Sequence, residues 1–183
     1  MARDDAELLV RASRGDHSAF AALYERYESD LYRFVSYLAG EPDTAEELFQ
    51  ETWFRVVRHT GKQPVNDFKK WMFAIATNLY RDELRKRKVR RLFLGRETAG
   101  EDQGGTAAAW ETSSTAEDLA VREAIGRAMR TLTSRQRMVF TLTQIEGFKI
   151  REVAEMLGKS EGTIKSTLHR ALEILRTSLK EFR

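Results

Sequence analysis

The sequence predicts an all-α chain: two small helical domains joined by a flexible acidic linker, the C-terminal domain built as a helix-turn-helix. Three observations carry this. Apolar residues recur at spacings of three and four, and no convincing strand alternation occurs. Only two prolines interrupt 183 residues, so long helices can run unbroken. Four of the eleven glycines (Gly95, Gly100, Gly104 and Gly105) crowd into one stretch with Thr, Ser and Ala around them. That composition marks a linker. The expected parts are therefore an N-terminal domain over 1–94, a linker over 95–115 and a C-terminal domain over 116–183.

The elements follow in order. Asp5 to Arg14 is a short amphipathic helix ending at Gly15. Asp16 can cap a longer one through Phe20, Leu23, Tyr24, Tyr27, Leu31, Phe34, Val35 and Leu38, stopped by Gly40. Asp43 offers a capping pair with Glu46, and Leu48, Phe49, Trp53, Val56 and Val57 carry a third helix. Gly61 and Pro64 break the chain before a fourth helix, which starts near Asp67 and continues to about Leu92.

Ile150 to Leu175 reads as two short helices joined by a tight turn. Val153, Ala154 and Leu157 form the apolar side of the first, Gly158 makes the bend, and Ser160 caps the second. Ile164, Leu168, Ala171, Leu172, Leu175 and Leu179 make the second helix's apolar stripe. A small residue, a glycine bend and a seating isoleucine at these offsets are the signature of a DNA-reading pair. Its outward residues are Glu161, Gly162, Thr163, Lys165, Ser166, His169 and Arg170. Gly162 and Thr163 can bring first-turn amides to a phosphate. Lys165 and Arg170 suit phosphate or guanine, and Ser166 and His169 suit base edges. The alternative is a solvated polar face on an ordinary helix pair.

Charge is segregated more than it is large. Thirty-one basic residues oppose 28 acidic ones, for a net +3. Eight cations fall between Arg81 and Arg96 against Asp82 and Glu83, while Glu97 to Ala120 holds six acids and no cation. A polyanion site followed by a tether that avoids it fits this pattern. On the fourth helix, Phe68, Trp71, Met72, Ile75 and Leu79 share a core sector. Lys70, Thr77, Asn78, Arg81, Arg85 and Lys88 share another. Phe73, Tyr80 and Leu84 lie between, either to stack on single-stranded bases or to pack on a neighbouring helix.

Cysteine is absent, which excludes disulfides, zinc–thiolate sites and thiol chemistry. No apolar run approaches the length of a membrane span or signal segment, so a cytoplasmic protein is expected. No phosphate loop, metal-ligand cluster or nucleophile elbow occurs. His17, His59 and His169 stand far apart. No enzyme and no cofactor are expected.

Three segments, DTAEELFQETWFRVVRH, FKKWMFAIATNLYRDELRKRK and LTSRQRMVFTLTQIEGFKIREVAEMLGKSEGTIKSTLHRALEIL, resemble the bacterial RNA polymerase sigma factors. The likeness is to their smallest, extracytoplasmic-function (ECF) group, and it covers both helical parts in order. The resemblance implies a transcription initiation factor that binds core RNA polymerase through the largest subunit's clamp helices and the flap. It implies promoter recognition, strand opening and an anti-sigma partner, without membrane insertion.

By the same resemblance, Asp43, Glu46, Glu47, Leu48, Gln50 and Glu51 meet the clamp. Taken without the family, that acidic group is equally a solvated helix N-terminus stabilised by its dipole. Asn78 falls where such proteins hold a flipped-out minus-ten base, and Lys62, Gln63, Asn66 and Asp67 shape that pocket. Lys69, Lys70, Arg81, Arg85 and Lys86 follow the backbone. The helix-turn-helix docks on the minus-thirty-five duplex. Thr133, Thr167 and Leu172 depart from a frequent proline and two frequent arginines. The competing reading is a stand-alone helix-turn-helix regulator, which would ordinarily dimerise over two half-sites; a third is a module folded around RNA.

The linker stretch 97–115 has a coil span of roughly 25 Å and a stretched limit of roughly 65 Å. Promoter elements nearly two helical turns apart, roughly 68 Å, would require that it be held extended. An acidic tether in a nucleic-acid channel would mimic the nucleic acid. Replacing Glu97, Glu101, Asp102 and Glu111 by serine is expected to alter initiation kinetics but not promoter selection. Unchanged kinetics would discard the idea.

Overall fold

The computed structural model describes residues 2–62, 65–93 and 124–180; the expected linker and both domain boundaries beside it lie outside them. All regular structure among the described residues is helical. It comprises α1 (Ala2–Ser13), α2 (His17–Ala39), α3 (Pro42–His59), α4 (Phe68–Phe93), α5 (124–130), α6 (Ser134–Phe140), a π-helical turn (Thr141–Ile145), α7 (Ile150–Leu157) and α8 (Glu161–Lys180). The all-helical expectation holds.

Helix starts follow local chemistry. Asp16 accepts hydrogen bonds from the Ser18 and Ala19 amides at 3.0 and 3.1 Å. Those bonds hold its carboxyl well below the usual range. At α3 the expected Asp43–Glu46 capping pair does not form. Pro42 occupies the first turn, its fixed φ suited to that position, so the helix begins earlier, with Glu41 as an N-cap that makes no side-chain bond. Asp67 starts α4 by accepting from the Lys70 amide at 2.9 Å. Thr133, where a proline is frequent in relatives, caps α6 instead: its hydroxyl accepts from the Gln136 amide at 3.3 Å while Gln136 Oε1 accepts from the Thr133 amide at 3.0 Å.

Helices α1 to α4 pack into one unit. Leu23, Leu31, Phe34, Val35 and Leu38 from α2 meet Ala45 and Val56 from α3 and Phe68, Met72, Phe73 and Ala76 from α4, all but fully buried. Each such large side chain contributes roughly 1.5–3 kcal/mol through burial. Asp5 anchors α1 to α2 from a buried position, paired with Arg26 and accepting from Tyr27 Oη at 2.5 Å. Some expected core positions are corrected. Val57 is 56% exposed, because it follows fully buried Val56 and consecutive helical residues point about 100° apart. Trp71 and Ile75 are only half-buried. Leu172 and Leu179 lie on the outer side of α8.

The C-terminal unit stands on Ala128, Met129, Leu132, Ala171 and Leu175, with Ile164 seating α8 on α7. Gly158 ends α7 at φ +61°, the left-handed bend the sequence calls for.

The two units are packed against each other, α6 on α2 and α7 on α4, and their apolar side chains form one continuous cluster. Arg137, fully buried, donates Nη1 to the Leu38 carbonyl of α2 at 3.2 Å. Its other nitrogens donate to the Met129 and Leu132 carbonyls at 3.0 and 3.1 Å. The π-turn and Gly147, at φ +76°, then swing Glu146 and Phe148 toward α2 and α4. Phe148 meets Phe73 with ring centroids 5.5 Å apart, and Phe73 meets Phe34 at 4.9 Å. Glu146, its side chain 1% exposed, lies 3.4 Å from Lys69 Nζ and 3.5 Å from Arg33 Nη2. Burial pushes its carboxyl upward; Lys69 and Arg33 oppose this, and Asp30 adds to it.

Two outcomes are expected. Arg137→Met leaves three buried carbonyls without their cation and should lower the unfolding free energy by about 3 kcal/mol or more in denaturant titration. Folding holds the Glu146 proton above its ordinary 4.5. The contribution of that proton is therefore complete below pH 4.5 and is lost as pH rises through the raised value. Stepped-pH urea unfolding should show the wild type losing stability relative to Glu146→Gln across that interval.

Candidate nucleic-acid interface

Three exposed surfaces hold the residues singled out from the sequence. On α4, Asn78 faces solvent, and Arg81 Nη1 donates to its Oδ1 at 3.5 Å. Arg85 pairs with Asp82. Arg85, Lys86 and Lys88 are exposed beyond it, and Lys62, Asn66 and Asp67 are exposed in the preceding loop. Gln63 lies outside the described residues. An amide that can donate and accept, flanked by cations, is suited to one base edge and its neighbouring phosphates.

The basic run is less uniform than its sequence suggests. Glu83 draws in Arg87 and Arg90 at 3.1 and 2.9 Å. Arg87 also donates to Thr44 Oγ1 at 2.7 Å, so it straps α4 to α3. Thr77, grouped with the basic sector from sequence, is fully buried. Phe73 and Tyr80 are buried too, at 0% and 2% exposure, and Phe73 packs between Phe34 and Phe148. Of the two readings left open for these rings, helix packing is the one realised. Lys69 and Lys70 are engaged within the chain: Lys69 by Glu146, and Lys70 by Glu155 at 2.6 Å. The bond from Lys70 holds the Glu155 carboxyl below its usual range.

On α8, the outward residues all lie on one face, as the stripe required. Glu161, Gly162, Lys165, Ser166, His169 and Arg170 are exposed and Thr163 half-buried. Ser160 Oγ accepts from the Thr163 amide at 3.2 Å, the predicted cap. Thr167, in place of a frequent arginine, donates to the Thr163 carbonyl at 2.7 Å. His169 Nε2 sits 3.3 Å from Glu173, so its base-facing role would require leaving that carboxylate.

On α3, Asp43, Glu46, Glu47 and Gln50 are exposed and Glu51 half-buried. Gln50 donates to Glu46 at 2.7 Å, and Arg55 to Glu51 at 2.8 Å. Leu48 is a correction: only 5% exposed, it belongs to the core beneath the ridge and has no surface to offer a partner. The surface holds instead Phe54 and Val57, 59% and 56% exposed. Spaced at Glu47, Gln50, Phe54 and Val57, the strip is continuous along one helical side. Sequence reasoning missed Phe54, because LFQETWFRVV is too uniformly apolar for periodicity to tell inside from outside. It also missed Arg33, Arg137 and Glu146, whose roles need contacts far apart in sequence.

Comparison with known proteins agrees with this geometry. The family model for Sigma-70 region 2 matches residues 23–90, and that for Sigma-70 region 4 matches residues 122–175. The ECF RNA polymerase sigma factor SigX of Bacillus subtilis is 31% identical over 177 residues, covering 90% of this chain and 85% of that relative. BldN of Streptomyces coelicolor, of the same description, is 32% identical over 171 residues, covering 92% of this chain; the chain spans 63% of its length. The sigma factor RpoE of Bartonella quintana, solved in complex with the anti-sigma factor NepR, superposes with a TM-score of 0.71 at 25% identity. That match covers 90% of this chain and 98% of RpoE. With two exposed polar helix faces of different character, each inside a matched region, and a relative of this identity and coverage, the chain belongs to the ECF RNA polymerase sigma factors, a family of transcription initiation factors and not of enzymes.

Proposed function

We propose that the chain divides initiation between its two units. The exposed side of α3, from Asp43 through Glu47 and Gln50 to Phe54 and Val57, binds the clamp helices of core RNA polymerase. An acidic and amide ridge with an apolar end complements a basic helical partner. Asn78 holds an unstacked minus-ten base, with Lys62, Gln63, Asn66 and Asp67 around the pocket. Lys69, Lys70, Arg81, Arg85 and Lys86 track the strand. The outward face of α8 docks on the minus-thirty-five duplex, with Lys165 and Arg170 as its principal cations. Residues 95–115 connect the units along the polymerase, which also contacts the chain through its flap.

The chemistry needs no hydrolysis. Unstacking a base costs a few kcal/mol. A surface that binds the unpaired strand better than duplex shifts the equilibrium toward open DNA by that difference in affinity. Polymerase supplies the second anchor and keeps the chain on the promoter. The observation that supports this reading best is the exposed Asn78 amide between cations on α4, carried on the same chain as a separate polar recognition face on α8. A stand-alone regulator needs the second and has no use for the first.

Two further points belong to this reading. The chain works where the polymerase is, in the cytoplasm; no helix among the described residues is long and apolar enough to cross a membrane. An anti-sigma protein is its expected restraint, in line with RpoE of Bartonella quintana, which was solved in complex with one.

Paired substitutions test the division. Asn78→Ala should impair open-complex formation by about tenfold while leaving the affinity for core polymerase unchanged. Arg170→Ala should weaken minus-thirty-five duplex binding about tenfold and reduce its salt slope by about one. Equal losses by both variants in both assays would contradict the division.

A further inference from the structure

We propose that the closed packing of the two units is a self-inhibited state, in which carboxylates and a ring of the C-terminal unit occupy the first turns of α4 in place of a nucleic-acid strand. This rests on the reading of α4 as the strand-binding surface. Lys69 and Lys70 are the cations nearest the start of that helix. Glu146 Oε2 lies 3.4 Å from Lys69 Nζ, the Glu146 carbonyl accepts from the same nitrogen at 3.1 Å, and Glu155 Oε2 lies 2.6 Å from Lys70 Nζ. These are the positions a phosphodiester would take. Phe148 covers the Phe73 ring, and Lys69 Nζ lies 5.5 Å from the centroid of each. Cation and ring on α4 are thus satisfied together by one loop of the same chain.

The closure is partial, and its direction matters. Asn78, Arg85 and Lys86, further along α4, stay exposed, as do Lys165 and Arg170 on α8. The closed molecule therefore leaves its duplex face open while blocking one end of its single-strand track. Glu146 is buried at a desolvation cost that Lys69 and Arg33 oppose only in part. What favours closure is the burial of Phe148, the Arg137 bond to Leu38 and the Lys70–Glu155 pair. A ligand that binds only the parted units gains affinity in proportion to how far the open population is raised. Polymerase, by separating the two units, would expose the whole track.

The absence of cysteine makes a direct test available. Ser29→Cys on α2 and Thr177→Cys on α8, both exposed, carry spin labels in the full chain. The test variants add Phe148→Ser and Glu155→Gln, with Glu155→Gln alone deciding should the double variant fail to fold by circular dichroism. Double electron–electron resonance gives the distance between units. Fluorescence anisotropy gives the affinity for an oligothymidylate of about 12 nucleotides. The expected result is a longer, broader distance distribution with oligothymidylate bound about fivefold or more tighter. An unchanged distribution, or a longer one without tighter binding, overturns the proposal. Loss of promoter-directed transcription by the wild type with core polymerase would instead sink the function proposed above, whatever the distances show.

Discussion

The seating of one short segment, Glu146 to Phe148, between α2 and α4 is the contact on which the arrangement of the molecule depends. A π-turn and a left-handed glycine deliver it there. A run of ordinary α-helix through Thr141–Ile145 would aim these side chains elsewhere, since one extra residue per turn rotates everything that follows. Phe148 then joins two helical units into one apolar cluster. Arg137, six residues before the π-turn ends in space on the Leu38 carbonyl, extends the joint to the end of α2.

That joint mixes strong and weak elements in a way that suits a molecule meant to come apart. Its apolar part is small beside the core of the N-terminal unit. Its ionic part includes a buried carboxylate whose desolvation is incompletely repaid, and an exposed Lys70–Glu155 pair of the kind that contributes about 1 kcal/mol or less. The inner cores are different. Phe34, Phe68, Met72 and Phe73 in one unit, and Leu132, Ala171 and Leu175 in the other, are secured within their own helices. Separation of the units leaves most of that burial intact.

Much of this architecture was legible in the residues. Asp16, Gly40, Gly158 and Ser160 punctuate helices through chemistry local to a few residues, so their roles could be read directly and the structure bears them out. The apolar faces of α2 and α7 were also clear, because polar residues fill the intervening positions. Legibility failed where the signal was dense or distant. Leu48 and Phe54 both sit in a nearly continuous apolar run, yet one is buried and the other exposed. Phe73 could be assigned to neither packing nor solvent until its partners, Phe34 and Phe148, were in view. Lys69 and Lys70 read as free cations because the carboxylates that meet them lie 77 and 85 residues away.

The central claim is that this chain, together with core RNA polymerase, separates the strands of promoter DNA. Permanganate reactivity of thymines around the minus-ten element measures this directly on duplex promoter. The account predicts reactive thymines when the chain and core polymerase are both present, and none with either alone. Thymines that stay protected in the presence of both would contradict it.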